Sequence, residues 1–496
     1  MAWWQNLPLF LILCPLVCGV ACSVLKGKAV RIMMAGLTLL ECAGMAVLLR
    51  YTAEGNISFV FTMGETGAPF GNELRAGSTE ALIGLGFSLV LLLSVTGGNR
   101  GLQEDVAGKR LNLYGAMLGL LTAAMAAIVF TNDLFTAYVF IEISTLSSCA
   151  LISATNRGKA LFSSARYMVM NLLGSGLFLL GLSMLYALTG QLLFPQLGTS
   201  VRNLTADGRY PVPMYLSFLL MTMGLCIKSA LYPFHTWLPD AYSNSTAVSG
   251  ALLSSLVSKM YIFLLIKIAL RAALEEAFIL RIGDILFLYA ATGTVIGSVH
   301  AIRQHRLSRL IAYSSVAQIA CVYLGISIGG TEGIAAALFY ILAHSAAKSM
   351  LFLTAHKLRQ VSGGADGLED LRGAANRNRL AGLAFLTGAC SLTGIPGLGG
   401  FAAKLYLAQA GIARGGWRMP VLLGILALST LLNVAYMLRT SLVLYSREEK
   451  MPADDPPRHD PMFAGTMIVQ IGLNLFLGLC GNTVMELLRS GLALFI

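Results

Sequence analysis

The chain has 496 residues, of which 56% are hydrophobic and only 12% charged, too few charged side chains to coat a water-soluble protein of this length. Lys and Arg number 35 against 24 Asp and Glu, an excess that in a soluble protein would point to nucleic acid. Here the basic residues recur loop by loop between apolar runs, which is a topology signal, so the expected partner surface is the lipid bilayer and not nucleic acid.

A membrane span needs about 20 predominantly apolar residues, and the chain supplies about fourteen such runs, which predicts an all-α polytopic membrane protein. The first run, Leu7 to Leu25, is long for a signal-peptide core and has no basic residue ahead of it, so it is expected to be a retained helix. Spans 1 to 3 are expected over residues 7–26, 29–50 and 80–97, with a polar outer loop from Tyr51 to Ser78. Apart from Glu41, and Glu80 at the edge of span 3, they hold no charged group deep in a span and read as scaffold. Cys14, Cys18 and Cys22 share one face of span 1. They could ligate an iron-sulfur centre or metal, but there is no C-x-x-C pair in the chain and buried cysteine is common as a small hydrophobe, so no metal or disulfide framework is expected.

Span 4 (111–130) carries Gly115-x-x-x-Gly119, which permits close helix approach. Span 5 opens at Asn132-Asp133, where an acidic residue suits a helix N-terminus, and carries Glu142 deep in an otherwise uncharged run. A buried carboxylate needs a cation, and Lys228 is the candidate; the alternative is a neutral carboxyl tied locally to Ser144 or Thr145. Arg166 in span 6 (161–189) reads as an interfacial anchor. Span 7 (213–252) contains Lys228 and is broken by Pro233, because proline lacks the amide donor that closes a helical turn. A break at membrane depth is tolerated only against protein or a water-filled cavity. His235 sits in that break, as a proton relay or as a partner for freed carbonyls. Lys259 lies early in span 8 (255–272), while Lys267 is near its outer end, where a long side chain can snorkel.

Spans 9 and 10 are expected over 281–302 and 308–328, with His300 and His305 in a solvated basic loop, or His300 just inside the adjoining span. Span 11 (332–358) carries His356 near its end and His344 and Lys348 at i, i+4, sharing a face. Span 12 is interrupted by Gly394-Ile395-Pro396-Gly397, with Lys404 beyond the break. Spans 13 and 14 cover 419–444 and 462–490 and are joined by a charged loop from Arg447 to Pro461. Charged side chains at bilayer depth cost at least about 2.5 to 3.5 kcal/mol each and usually mark ion or proton pathways. Two interrupted spans in corresponding positions of two halves point to an inverted-repeat transporter with a midplane site. The expected units are residues 1–110 (spans 1 to 3), 111–273 (first repeat, spans 4 to 8), 280–445 (second repeat, spans 9 to 13) and 446–496. The loops after spans 1, 3, 5, 9, 11 and 13 carry most of the basic residues. That places them in the cytoplasm and both termini on the outer side of a bacterial or archaeal cell membrane.

These residues resemble the antiporter-like subunits shared by respiratory complex I, Mrp-type cation/proton antiporters and membrane-bound hydrogenases. The resemblance rests on Phe140-Ile141-Glu142, on Lys228 with Pro233-Phe234-His235-Thr236-Trp237-Leu238-Pro239-Asp240, on Ser258-Lys259, on Leu310 to Gln318, on His344 with Lys348, and on Gly394-Ile395-Pro396, Gly400 and Lys404. It implies a fourteen-helix fold with two inverted five-helix repeats and broken helices 7 and 12. It also implies a Glu142–Lys228 ion pair, Lys259 and His344 as bridging relay groups, and Lys404 near the exit. The largest complex I member carries a long lateral helix after its last spans, whereas this chain stops at Ile496, which suggests one of the shorter members. Some members have a glutamate where this chain has Lys404.

The expected activity is proton translocation through Glu142, Lys228, Lys259, His344, Lys348 and Lys404, with Pro233, His235 and Pro396 at the breaks. Lys228 would hold its proton while Glu142 is close and release it toward Lys259 as they separate. No Rossmann glycine pattern, P-loop or cysteine cluster implies a cofactor, so redox chemistry is assigned to partners: iron-sulfur, hydrogenase or quinone-reducing subunits, alongside sister antiporter-like subunits. One component of a Mrp-type Na⁺/H⁺ antiporter and an inactive membrane anchor are the alternatives.

Overall fold

In the computed structural model, residues 3–25, 27–63, 72–106, 108–272, 276–447 and 460–495 are described, the side chains of 276–281 excepted. The charged loop expected after Arg447 falls almost wholly outside the described residues.

Helices dominate. In chain order they begin with α1 (Leu7–Val24), α2 (Lys28–Glu54), α3 (Ser78–Asp105), α4 (Lys109–Phe130), α5 (Leu134–Ser153) and α6 (Gly158–Thr189). Between α2 and α3 the chain forms a short antiparallel hairpin, β1 (Phe59–Met63) paired with β2 (Asn72–Ala76), where the sequence suggested only a polar loop. A 13-residue helix, α7 (Phe194–Ala206), follows α6 and was not anticipated either. It is too short to cross a bilayer and buries Phe194, Leu197 and Val201 on one side.

Span 7 is divided as expected, but differently. Its first half is α8 (Pro211–Lys228), the break runs through the Phe234–Trp237 turn, and its second half is the short α9 (Leu238–Asn244). The chain stops again at Ser245. Thr246 then caps a new helix by accepting the Ser249 amide at 3.1 Å, because a hydroxyl there satisfies a free N–H. Span 8 therefore starts at Ala247 and not at 255: α10 (Ala247–Leu252) continues through a π-helical turn, Leu253–Val257, into α11 (Ser258–Arg271). The shift puts Lys259 in the middle of a 25-residue span.

Next come α12 (Glu276–Ile302), α13 (Leu307–Ile328), α14 (Gly330–Gln360) and the short α15 (Ala374–Arg377). Span 12 is split into α16 (Arg379–Thr393) and α17 (Gly399–Arg414), with Pro396 in the break, and α18 (Arg418–Tyr445) is span 13. The last expected span is two helices, α19 (Pro461–Leu479) and α20 (Gly481–Ala493), separated at Cys480. Thirteen helices among the described residues are long and apolar enough to cross a membrane, and α16 is a shorter apolar helix.

Burial is graded. The α10–α11 and α14 spans are buried along their most apolar stretch, whereas α1, α2, α18 and α19 bury only a third of theirs. The outer helices expose large apolar side chains, among them Val17, Ile32, Leu431 and Leu479, the face lipid requires. Helices approach closely where glycines allow it. A Cβ on Gly119 would lie 2.6 Å from the Gly19 Cα, so the Gly115/Gly119 face seats α4 on α1.

Both chain ends lie beside the hairpin. Trp4 stacks on Tyr51 and packs edge-on to Phe59 of β1. Arg75 of β2 bonds both Glu80 (2.5 Å) and the Leu494 carbonyl. The far side of the bundle carries the loops rich in arginine and lysine.

Candidate functional site

Four lysines of the expected pathway are buried in the protein interior: Lys228, Lys259, Lys348 and, at 9% exposure, Lys404. Among the described residues none has a carboxylate within 4.0 Å; each donates instead to neutral oxygens. Lys228, at the last turn of α8, donates to Thr145 Oγ1 of α5 at 2.8 Å and lies over the Tyr261 ring at 5.4 Å. Gly174 on α6 makes the room, since a Cβ there would sit 3.1 Å from Lys228 Cγ.

The implied Glu142–Lys228 ion pair is not formed in this structure. Glu142 and Thr145 lie one turn apart on α5, and the threonine stands where the carboxylate was expected. One Glu142 oxygen, Oε1, is buried with no hydrogen-bond partner. Local tying to hydroxyls is not seen either: Ser144 bonds Tyr261 Oη at 2.7 Å, and Thr145 donates to the Ile141 carbonyl at 2.9 Å.

Lys259 follows the π-helical turn and donates to the Ser254 carbonyl within it and to Ser258 Oγ at 3.4 Å. A π turn changes which carbonyls are taken up by backbone amides, and such turns recur at functional sites. His344 of α14 is buried with both ring nitrogens unpartnered. It lies within electrostatic reach of Lys259 and Lys348, so the central helices bring these three groups together. Lys348 donates to Ser314 Oγ (2.5 Å) and the Ile311 carbonyl (2.8 Å) of α13.

Lys404 of α17 reaches back across the break. Its Nζ lies 3.1 Å from the Leu392 and Thr393 carbonyls and from Thr430 Oγ1. It thereby caps the end of α16, where carbonyls lack intrahelical donors. Between Lys348 and Lys404 stand two residues that the sequence pattern did not single out. Asn433 Nδ2 donates to the Leu392 carbonyl at 3.1 Å, and Tyr436 Oη donates to Asn433 Oδ1 at 2.7 Å. An asparagine and a tyrosine at i, i+3 in the apolar α18 were the available signal.

Away from this file of lysines one expectation is corrected, one is extended and one alternative is decided. Lys267 does not snorkel: it is fully buried and donates to the Val129 (2.8 Å) and Thr131 (2.6 Å) carbonyls, capping the end of α4. Arg166 does more than anchor, because it and Arg309 both pair with Asp240 of α9, at 2.9 and 3.1 Å. Of the two places open to His300 it takes the inner one: half-buried, its ring packs 6.1 Å from that of His235 and 5.3 Å from Tyr313, and both histidines leave Nδ1 buried and unpartnered. His305 is exposed as expected. Pro396 is exposed at the α16/α17 break. Cys14 and Cys18 lie 3.9 Å apart, and no group of three or more His, Cys, Asp or Glu among the described residues could hold a metal ion.

Comparison with known proteins identifies the family and the fold. Residues 131–438 match the family described as "NADH:quinone oxidoreductase/Mrp antiporter, TM". NADH-quinone oxidoreductase subunit N of Desulforudis audaxviator is 30% identical over 88% of this chain and 85% of its own length. One of the Na⁺/H⁺ antiporter subunits of Bacillus subtilis is 26% identical over 78% of this chain and 76% of its own. Among solved structures, a chain of the membrane-bound sulfane sulfur reductase, an archaeal respiratory membrane complex, superposes with a TM-score of 0.89 at 22% identity, covering 99% of this chain and 98% of that one. A chain of the Mrp complex from Dietzia sp. DQ12-45-1b gives 0.86 at 23%, covering 99% and 97%. Both of these structural neighbours are chains of larger complexes. The matched segment takes in Glu142 and every buried lysine of the file, and the chain belongs to the NADH:quinone oxidoreductase/Mrp antiporter transmembrane family.

Proposed function

We propose that this chain is the proton-translocating, antiporter-like membrane subunit of a redox-driven pumping complex in a bacterial or archaeal cell membrane. The observation that carries the reading is the file of buried lysines bound only to neutral oxygens. A lysine in a fixed ion pair is held to one charge state by its partner; a lysine held by hydroxyls and carbonyls has no such lock. Lys228 receives a proton when the Glu142 carboxylate swings toward it, and passes the proton to Lys259 when the carboxylate withdraws. From Lys259 the proton moves by His344 to Lys348, and past Ser314, Tyr436 and Asn433 to Lys404. Spans 4 to 8 and 9 to 13 form the two inverted repeats, each contributing one broken helix. The electron-carrying centres belong to partner subunits, which drive the file through sister membrane subunits.

Replacing Lys228 with Ala in the complex is expected to abolish proton pumping while electron transfer continues uncoupled; pumping at the parental rate would sink the proposal. The similarity to a component of an Na⁺/H⁺ antiporter supports a second reading, exchange of Na⁺ for H⁺ without redox input. Pumping by the complex in Na⁺-free buffer separates the two, since only the first reading retains it.

A further inference from the structure

On the basic-loop side of the bundle a polar cavity of about 240 Å³ opens above the gap between α9 and α10. Its wall is built from the start of α6, the Ser243–Thr246 gap, and the ends of α3, α13 and α14. Four cationic side chains line it: Arg157, Lys159, Arg306 and Arg359. Two carboxylates offset them in part. Asp105, also in the wall, is 3.5 Å from Arg157, and Asp366 takes both Arg306 (3.0 Å) and Arg359 (3.6 Å). Lys159 has no carboxylate within ion-pair distance among the described residues, so the cavity keeps a positive excess.

The backbone adds to it. The 32-residue α6 begins at Gly158 in this wall, and its N-cap, Arg157, supplies no side-chain acceptor. The first amides of α6 are therefore uncapped, and an N-terminus of that kind favours an anion. A second, independent feature points the same way. Ser243 lines the cavity, is only 6% exposed, and its hydroxyl has no hydrogen-bond partner. Thr155 Oγ1, in the same wall, is likewise unpartnered. Buried hydroxyls left without partners are uncommon and mark a missing ligand or water.

We propose that this cavity binds a phosphate-type oxyanion, held by Lys159 and Arg157, the first amides of α6, and the Ser243 and Thr155 hydroxyls. Either an anionic phospholipid headgroup or free phosphate offers that chemistry, and basic pockets between helices at this face of a membrane protein bind such headgroups. The site does not depend on which ion the file of lysines carries. Bound there, the anion bridges the α5–α6 loop to the mouth of the α9–α10 gap.

The test is hydrogen exchange in the segments 155–164 and 242–248 of the intact complex in neutral detergent, titrated separately with inorganic phosphate and with short-chain phosphatidylglycerol. Slowed exchange in both segments with phosphatidylglycerol alone identifies a lipid site, and slowed exchange with phosphate as well identifies a site open to soluble anions. In Lys159→Ala, an exposed position whose loss leaves the fold intact, the apparent affinity is expected to be about tenfold weaker, the loss of one charge-assisted hydrogen bond. No protection by either probe, or protection of equal affinity in the variant, overturns the proposal.

Discussion

Thr145 is the side chain on which the Lys228 ammonium rests, its hydroxyl accepting a hydrogen bond from that charge at 2.8 Å. Thr145→Val keeps the shape and removes the oxygen, a change worth about 1–3 kcal/mol at a buried donor. Proton flux through the complex in proteoliposomes is expected to fall roughly tenfold, with Thr145→Ser restoring it. Unchanged flux in the valine variant would falsify the role given to this contact. Lys267 predicts the opposite phenotype. Because it caps α4 and stands apart from the file, Lys267→Met should lower the thermal stability of the purified complex by roughly 1–3 kcal/mol, and the protein that remains folded should pump. These two lysines show what the sequence could and could not say. Lys228 was legible because its own neighbours, the proline break and the apolar run, mark it. Lys267 was misread as a snorkelling anchor because its partners, Val129 and Thr131, lie far away in the chain. The Thr145 contact was hidden for the same reason.

At the scale of elements, α6 and α8 meet through Gly174 and Gly224. A Cβ on Gly224 would come 2.9 Å from the Phe178 amide, and one on Gly174 2.8 Å from the Gly224 carbonyl. Gly224→Ala is expected to force the helices apart at a cost of about 1–3 kcal/mol. Since Lys228 is one turn further along α8, proton flux should fall together with thermal stability, whereas Gly176→Ala, where a Cβ meets nothing within 4 Å, should change neither. Both helix breaks were readable, since proline acts on its own turn. The second stop at Ser245 and the π turn before Lys259 were not, because no proline marks them and the capping Thr246 looks like any other polar residue. The β1–β2 hairpin and α7 escaped as well: each is short, and their amphipathic patterns are buried against surfaces that only the assembled bundle provides.

For the molecule as a whole, the termini and the hairpin lie on one side, so the chain crosses an even number of times. The basic loops then predict that a C-terminal alkaline phosphatase fusion is active and a green fluorescent protein fusion dark; the reverse pattern would invert the assigned orientation. Gentle purification through a tag on this chain should recover iron-sulfur subunits with other membrane subunits. Recovery of membrane subunits alone would move the assignment to the gradient-driven antiporter. Lys259, His344 and Lys348 crowd together with no carboxylate in ion-pair contact among the described residues. Like charges in a poorly screened interior repel over several ångströms, so in the proposed pathway a proton entering the cluster would evict the one ahead of it. In the proposed pathway such a file would act as a turnstile beyond the Glu142 switch: it admits the next proton only as the last departs, and thus ties each turnover to a whole number of protons.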